Sequence, residues 1–298
     1  MTDCSIEKPF ILVTDATDPQ GSAMVRYLLQ QGFSVKAFID DPERSDAIAL
    51  ADDGAELFVG DLSNRTSVNE ALQNVDRVFS VQTYHADYSD MEVQQGRVIA
   101  DAAKAASVSH FIYISSSGAN RQTNVPLFRI KGKIEDYIRS IALPYTILRP
   151  TFYMHNWMSW QSMLQKGILP QPLRPETMLQ QVSVEDVSAV ATLAFAHPHQ
   201  WITRELDLAS DELTMEEIAQ IFSQVLARPV NYVQTSWDRF EQEVGTERTA
   251  LYRWLENAGY NADISVLRQE HPSLLTFKRY LQLGTFSLLP RRTVKLQN

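Results

Sequence analysis

The sequence predicts an α/β fold, a doubly wound parallel sheet followed by a smaller, mostly helical lobe. Three observations carry that expectation. Short apolar runs alternate with helical patterns as far as Pro150, the first run leads straight into a tight turn and a helix, and helical stretches dominate from residue 151 onward. Alternation of this kind places crossover helices between parallel strands and so builds a Rossmann-type sheet. Two domains are expected: 1–150, a dinucleotide-binding-like unit, and 151–298, a substrate or partner lobe able to return a strand to the sheet.

Taken in order, Pro9 to Thr14 is an apolar run of the buried parallel kind, and Gly21 to Gln30 sets Ala23, Met24, Tyr27 and Leu28 on one helical face. Further strands are expected at 33–39, 55–59, 77–81, 110–114 and 145–148, with helices around 43–52, 65–73, 90–106 and 127–141. Beyond Pro150 the helical stretches are Met154–Gln165, Val184–Ala196, Thr214–Ala227, Trp237–Asn257 and His271–Leu281, with strands at Glu205–Leu208 and Val230–Val233. Capping-box spacing at Ser183 with Asp186 and at Thr214 with Glu217 marks two of those helix starts. The expected lobe closes over the carboxyl edge of the sheet, where open α/β folds hold their ligands.

Composition bounds the function. With 298 residues, 44% of them hydrophobic, the chain can bury a large core. A net charge of −9 leaves no basic footprint, so direct nucleic-acid binding is not expected. A single cysteine, Cys4, rules out an internal disulfide and suits a reducing cytoplasm. The first residues are polar and acidic rather than signal-like, and no apolar run is long enough to span a membrane. Neither zinc-ligand spacing nor a nucleophile elbow is present, and no metal is expected.

The turn after the first strand reads Thr14-Asp-Ala-Thr-Asp-Pro-Gln-Gly21. Glycines in such a turn let the backbone approach a pyrophosphate, whose charge rests on the amides and dipole of the helix N-terminus. Here Asp15 and Asp18 stand at two glycine positions and only Gly21 survives. Asp18 before Pro19 is also a helix-start signal, which predicts that the Asp18 carboxylate accepts from the first amides and occupies the phosphate position itself. Like charges about 4 Å apart repel by roughly 1 to 4 kcal/mol across the range from water to an effective dielectric of 20. The competing reading is that both aspartates merely cap a helix in a turn that still tolerates cofactor.

Several segments together carry a family resemblance: the altered turn, Val59-Gly-Asp-Leu62, Val75-Asp-Arg-Val-Phe79, Phe111 to Ser117, Pro144 to Pro150, Phe152 to Asn156, Val182 to Asp186, Leu213-Thr214 and Gly259-Tyr260. In this order they resemble the NmrA-like branch of atypical short-chain dehydrogenases. That resemblance spans nearly the whole chain. It implies NAD(P)-dependent reductases of quinones, dyes and phenolic ethers, together with non-catalytic relatives that sense nucleotides and act through protein partners.

Position by position the family pattern is incomplete. Members preferring NADP usually carry a basic residue after the second strand, whereas this chain has Asp40-Asp41. A carboxylate about 20 residues beyond the turn suits the ribose hydroxyls of NAD and repels a 2′-phosphate, so NAD is favoured over NADP if any dinucleotide binds. Asp40 to Glu43 can equally form a solvated turn. Asp61 falls where relatives contact adenine, and it can equally cap the helix after Ser63. The pattern places the catalytic lysine at Lys131 and the tyrosine four residues earlier, where Leu127 cannot transfer a proton. Lys131 can instead pair with Glu135 on the next helical turn. Ser116, with Ser115 and Ser117, can bind a substrate oxygen or cap a loop. Tyr84, His85, Tyr88, Tyr153, His155, Asn156, Trp157 and Trp160 suit a flat aromatic ligand between lobes, or simply pack there.

Three functions follow as expectations. The first is a cofactor-impaired, non-catalytic regulatory or scaffolding protein with weak or no cofactor binding. It would act through a protein partner; the segment 284–298, with Arg291, Arg292 and Lys295, is either a docking element for that partner or a strand or coil packed on its own lobe with a solvated end. The second is an NAD(P)-dependent reductase of a quinone-like or other small aromatic substrate. The third is a small-ligand binder without redox chemistry.

Overall fold

A computed structural model describes residues 9–82 and 89–284. The first strand, β1 (Phe10–Val13), has three of its four residues buried, and α1 (Pro19–Gln30) follows it after a five-residue turn. Four further strand and helix pairs alternate: β2 (Ser34–Ile39) with α2 (Ser45–Asp52), β3 (Glu56–Val59) with α3 (Arg65–Ala71), β4 (Arg77–Ser80) with α4 (Ser89–Ala105), and β5 (His110–Ile114) with α5 (Pro126–Ser140). β6 (Tyr145–Pro150) closes the series.

The chain then runs through β7 (Phe152–Tyr153), a 3-10 turn at Met154–Trp160, α6 (Gln161–Gln165), β8 (Ile168–Gln171) and β9 (Met178–Val182). α7 (Val184–Ala196), α8 (Pro198–Trp201) and β10 (Glu205–Leu208) come next, followed by β11 (Asp211–Thr214), α9 (Met215–Leu226) and β12 (Asn231–Gln234). The last described elements are α10 (Trp237–Val244), α11 (Thr246–Asn257), α12 (Ile264–Glu270) and α13 (Phe277–Gln282).

These elements form two compact units. The first comprises the described residues up to Pro150 together with Val187–Asp207, and the second Thr151–Asp186 with Leu208 onward. In the first, the sheet order is β10-β6-β5-β4-β1-β2-β3, and every neighbouring pair from β6 to β3 is parallel. That order reverses beside β1, so β1, β2 and β3 run to one side of the switch point and β4, β5 and β6 to the other. The core of this unit gathers Leu12, Val78, Phe111 and Tyr113 from strands with Ile99, Ile134 and Ile138 from helices.

The second unit carries two small sheets, β11-β9-β7 and β12-β8. Its core is aromatic: Phe152 lies 5.0 Å from Trp157, Phe240 lies 4.7 Å from Tyr252, and Phe222 packs edge-on to Phe277 at 5.3 Å. Trp157 is fully buried and donates from Nε1 to Gln181 Oε1 at 2.6 Å, and Trp160 stacks on Phe240. Trp157 therefore belongs to the core of this unit and the half-buried Trp160 packs against it, in line with the packing alternative for these two indoles. The Thr214 capping box forms in full, and the Ser183 hydroxyl accepts from Asp186 N–H. The helix expected at 237–257 is divided at Gly245, whose φ of +85° ends α10 and starts α11. The helix expected at His271–Leu281 begins only at Phe277, because His271 closes α12 and Thr276 caps α13.

Candidate functional site

Thr14 fixes where the first turn begins. Its hydroxyl donates to Val81 O at 2.6 Å and accepts from Val81 N–H at 2.8 Å, tying the ends of β1 and β4 together. The turn is then held by Ala16 N–H on Phe38 O and by Asp18 N–H on Asp15 O, at 3.1 and 3.0 Å. Asp15 has φ +43°, the left-handed region that glycine visits freely and that aspartate tolerates better than most residues. The glycine conformation thus persists without the glycine. Gly21 has a separate reason to remain, since a Cβ there would fall 2.2 Å from Asp15 O and 2.8 Å from Ala16 Cα.

Asp18 is the N-cap residue of α1 by backbone geometry, with φ −74° and ψ 158°, and its carbonyl accepts from Ser22 N–H at 2.8 Å. Its carboxylate makes no cap hydrogen bond, contrary to the self-capping expectation. The Asp18 charge contributes, after those of Asp46 and Asp40, to raising the pKa of Arg44.

Arg44 is the residue that the sequence reading missed. It lines the same cavity of about 460 Å³ as Asp15, Asp18, Asp40 and Asp61, with Phe38, Ile39 and Leu62 as apolar walls. The guanidinium is already engaged, gripping Asp46 through Nε and Nη2 at 3.0 and 2.7 Å, with Asp40 3.8 Å away. Those carboxylates, the bonded Asp46 foremost, raise its pKa. Its position four residues beyond Asp40 was the available signal, because that spacing lets side chains meet.

Asp40 accepts from the N–H of Asp41 and Asp41 from that of Glu43, each at 2.9 Å, so the acidic run after β2 is a self-bonded turn. Asp61 accepts from Ser63 N–H at 2.7 Å, while Asn64 caps α3 through the amides of Thr66 and Ser67. Asp61 is therefore not the helix cap. Four carboxylates and one guanidinium line the cavity, a formal charge of −3 from −4 and +1. The backbone keeps the shape a dinucleotide turn needs, but its charge opposes a pyrophosphate, and the one cation is bound to a neighbouring carboxylate.

Lys131 is not among the residues that line this cavity. Lys131 is buried on α5 and points its ammonium at Glu92 Oε1 of α4, 2.8 Å away, and at Gln82 O, 2.9 Å away. The expected partner, Glu135, is taken by arginines: Arg149 binds it through Nε and Nη2 at 2.8 and 2.7 Å, and Arg139 joins at 2.8 Å. Glu205 completes this group by accepting from both arginines, and the Arg139 hydrogen bond foremost brings its pKa down to about 2. The competition is decided by geometry, since a planar guanidinium makes two parallel bonds to a carboxylate and an ammonium cannot.

Ser116 lies after β5, where its carbonyl accepts from Ala119 N–H, while the Ser115 hydroxyl binds Glu135. In the second unit, Tyr153 and His155 stack with ring centroids 5.1 Å apart, and burial pushes the His155 pKa down to about 4. Asn156 beside them is exposed. Tyr84, His85 and Tyr88 lie outside the described residues, as does the segment expected to dock a partner, apart from Gly284. No cluster of metal-ligating side chains occurs among the described residues, and no helix among them is long and apolar enough to cross a membrane.

The NmrA-like family profile matches residues 7–285. An NAD(P)H azoreductase of Xenophilus azovorans is 29% identical over 233 residues, covering 78% of this chain and 79% of its own. The nitrogen metabolite repression protein nmrA of Emericella nidulans is 27% identical over 243 residues, covering 76% of this chain and 68% of its own. Among solved structures, the Citrobacter sp. triphenylmethane reductase complexed with NADP(H) superposes with a TM-score of 0.79 at 24% identity, over 92% of this chain and 99% of that one. At that identity the likeness concerns the fold alone.

Proposed function

The chain belongs to the NmrA-like family, and from that premise we propose that it is a cofactor-impaired, non-catalytic member that works as a regulatory or scaffolding protein through protein partners in the cytoplasm. The family contains both a reductase and a repression protein, so membership by itself does not choose. The feature that supports this reading is the turn: Asp15 and Asp18 stand at two of its glycine positions and line one cavity with Asp40, Asp61 and an arginine already engaged by Asp46. Two further features agree with it. Leu127 stands in place of a proton-transferring tyrosine, and Lys131 is neutralised by Glu92.

A reductase is the second reading, favoured by the left-handed backbone that the turn retains at Asp15. Calorimetry with NADH and NADPH separates the two, on the wild type and on an Asp15→Gly/Asp18→Gly double variant. The wild type is expected to give no binding heat at dinucleotide concentrations of roughly tens of micromolar. The double variant is expected to gain binding, since it loses two opposing charges and a backbone restriction. Tight NADPH binding by the wild type would overturn the proposal and favour the reductase.

A further inference from the structure

The seven-stranded sheet ends on β3, and among the described residues no strand pairs with its outer side. We infer that this edge joins a second copy of the chain, β3 against β3 in antiparallel register about a two-fold axis through Phe58, so that the sheet continues from one protomer into its partner. Gly60 N–H donates to Ile39 O at 2.9 Å, which fixes the parity of the parallel ladder between β2 and β3. Phe58 therefore directs its N–H and C=O to β2, whereas Leu57 and Val59 turn theirs outward. An edge of this kind is a ready template for another strand, and proteins usually blunt it with lysine, proline or a bulge. β3 reads Glu-Leu-Phe-Val in an unbroken register and carries none of these. Val59 is 52% exposed and Ile48, on the adjoining α2, 48% exposed, so the edge is apolar as well as unpaired.

Self-complementarity argues for a second copy rather than a strand of a different protein. Hydrogen-bonded pairs must join outward-facing residues, and setting Leu57 opposite Val59 of the second copy is the register that uses both such residues of each strand. Pairing Leu57 with Leu57, or Val59 with Val59, leaves the other outward residue without a partner inside β3. In the favoured register the Phe58 rings, each stacked on its own Phe38 at 5.6 Å, oppose one another as a close aromatic pair. Glu56 falls opposite Gly60 of the second copy, so the strand's carboxylate meets no like charge across the joint. The same patch serves both copies, and the two-fold axis closes the assembly as a dimer.

Sedimentation velocity on the full chain tests this, in about 0.15 M salt to screen the repulsion between two acidic molecules. Between about 5 and 500 μM the wild type is expected to move from the monomer mass toward twice that mass. Val59→Pro removes an outward N–H and leaves the ladder to β2 intact, a change that edge strands accept. Val59→Lys adds the charge with which natural edges resist pairing. Each should weaken association by about tenfold or more while circular dichroism shows the wild-type fold. Val59→Thr keeps the backbone group and the side-chain shape, and should associate like the wild type. The register has its own readout on a Cys4→Ser background. Phe58→Cys should give a disulfide-linked dimer on oxidation, because residues opposed at the axis lie about 4.5 to 5.5 Å apart at Cα, and Glu56→Cys should not. A wild type that stays monomeric to about 500 μM overturns the inference and leaves the edge to a different protein. Association that Val59→Pro and Val59→Lys both leave unchanged overturns it as well, as does cross-linking of Glu56→Cys as readily as Phe58→Cys.

Discussion

Replacing Lys131 by methionine distinguishes a structural lysine from a catalytic one. Lys131 is 5% exposed and Glu92 2% exposed, so the 2.8 Å pair lies out of water. Methionine keeps most of the apolar stem and removes the charge, which leaves Glu92 buried without its cation. Breaking a buried pair from one side costs about 3 to 5 kcal/mol. At roughly 2 to 4 °C per kcal/mol for a protein of this size class, Tm should fall by about 6 to 20 °C. Thermal unfolding followed by circular dichroism measures the shift. The Lys131→Met/Glu92→Met double variant should recover most of the loss, because no buried charge is then unpaired. A shift under about 2 °C in the single variant, or a double variant as unstable as the single, would refute the structural assignment and reopen a chemical role for Lys131.

Two other stability measurements follow from the same structure. Gly21→Ala forces a methyl group onto the turn backbone at Asp15 O, so chemical denaturation should show a loss of about 1 to 3 kcal/mol. His110 is fully buried, and its Nε2 donates to Thr146 Oγ1 at 2.8 Å, the threonine proton being committed to Trp201 O. Burial, and secondarily Arg77, brings the pKa of His110 down to about 4 from 6.5. A depressed folded pKa means that its contribution is complete above about pH 6.5 and is lost as pH falls toward 4, about 3 kcal/mol in all. His110→Gln keeps a donor without the titration, so the stability profile between those limits should flatten, and an unchanged acid limb would count against this account.

Local signals carried most of the first unit. The strands expected at 33–39, 110–114 and 145–148 are observed as Ser34–Ile39, His110–Ile114 and Tyr145–Pro150, because an apolar run covered by helices on both faces needs no distant partner to be recognised. The strands missed in the second unit had no such signature. β8 contains a proline and pairs with β12, some sixty positions away, while β9 carries Gln180 and Gln181 inward, where Gln181 accepts from Trp157. Pairing between distant segments is what made them strands, and periodicity cannot report it.

The sequence by itself determined the sheet, the position of the turn and the charge of the residues in it, since strand propensity, glycine spacing and formal charge are local properties. Only the tertiary structure decided how those groups are used. It brought Asp40 and Asp61 to the same cavity as Asp15 and Asp18, added Arg44 with its bond to Asp46, and left the Asp18 carboxylate without a cap bond to its own helix. It also gave Glu135 to the arginines and Lys131 to Glu92. A charged side chain has several partners within reach along the chain. Which one it keeps depends on the geometry and desolvation of every competitor, and these exist only once the strands and helices have been brought together.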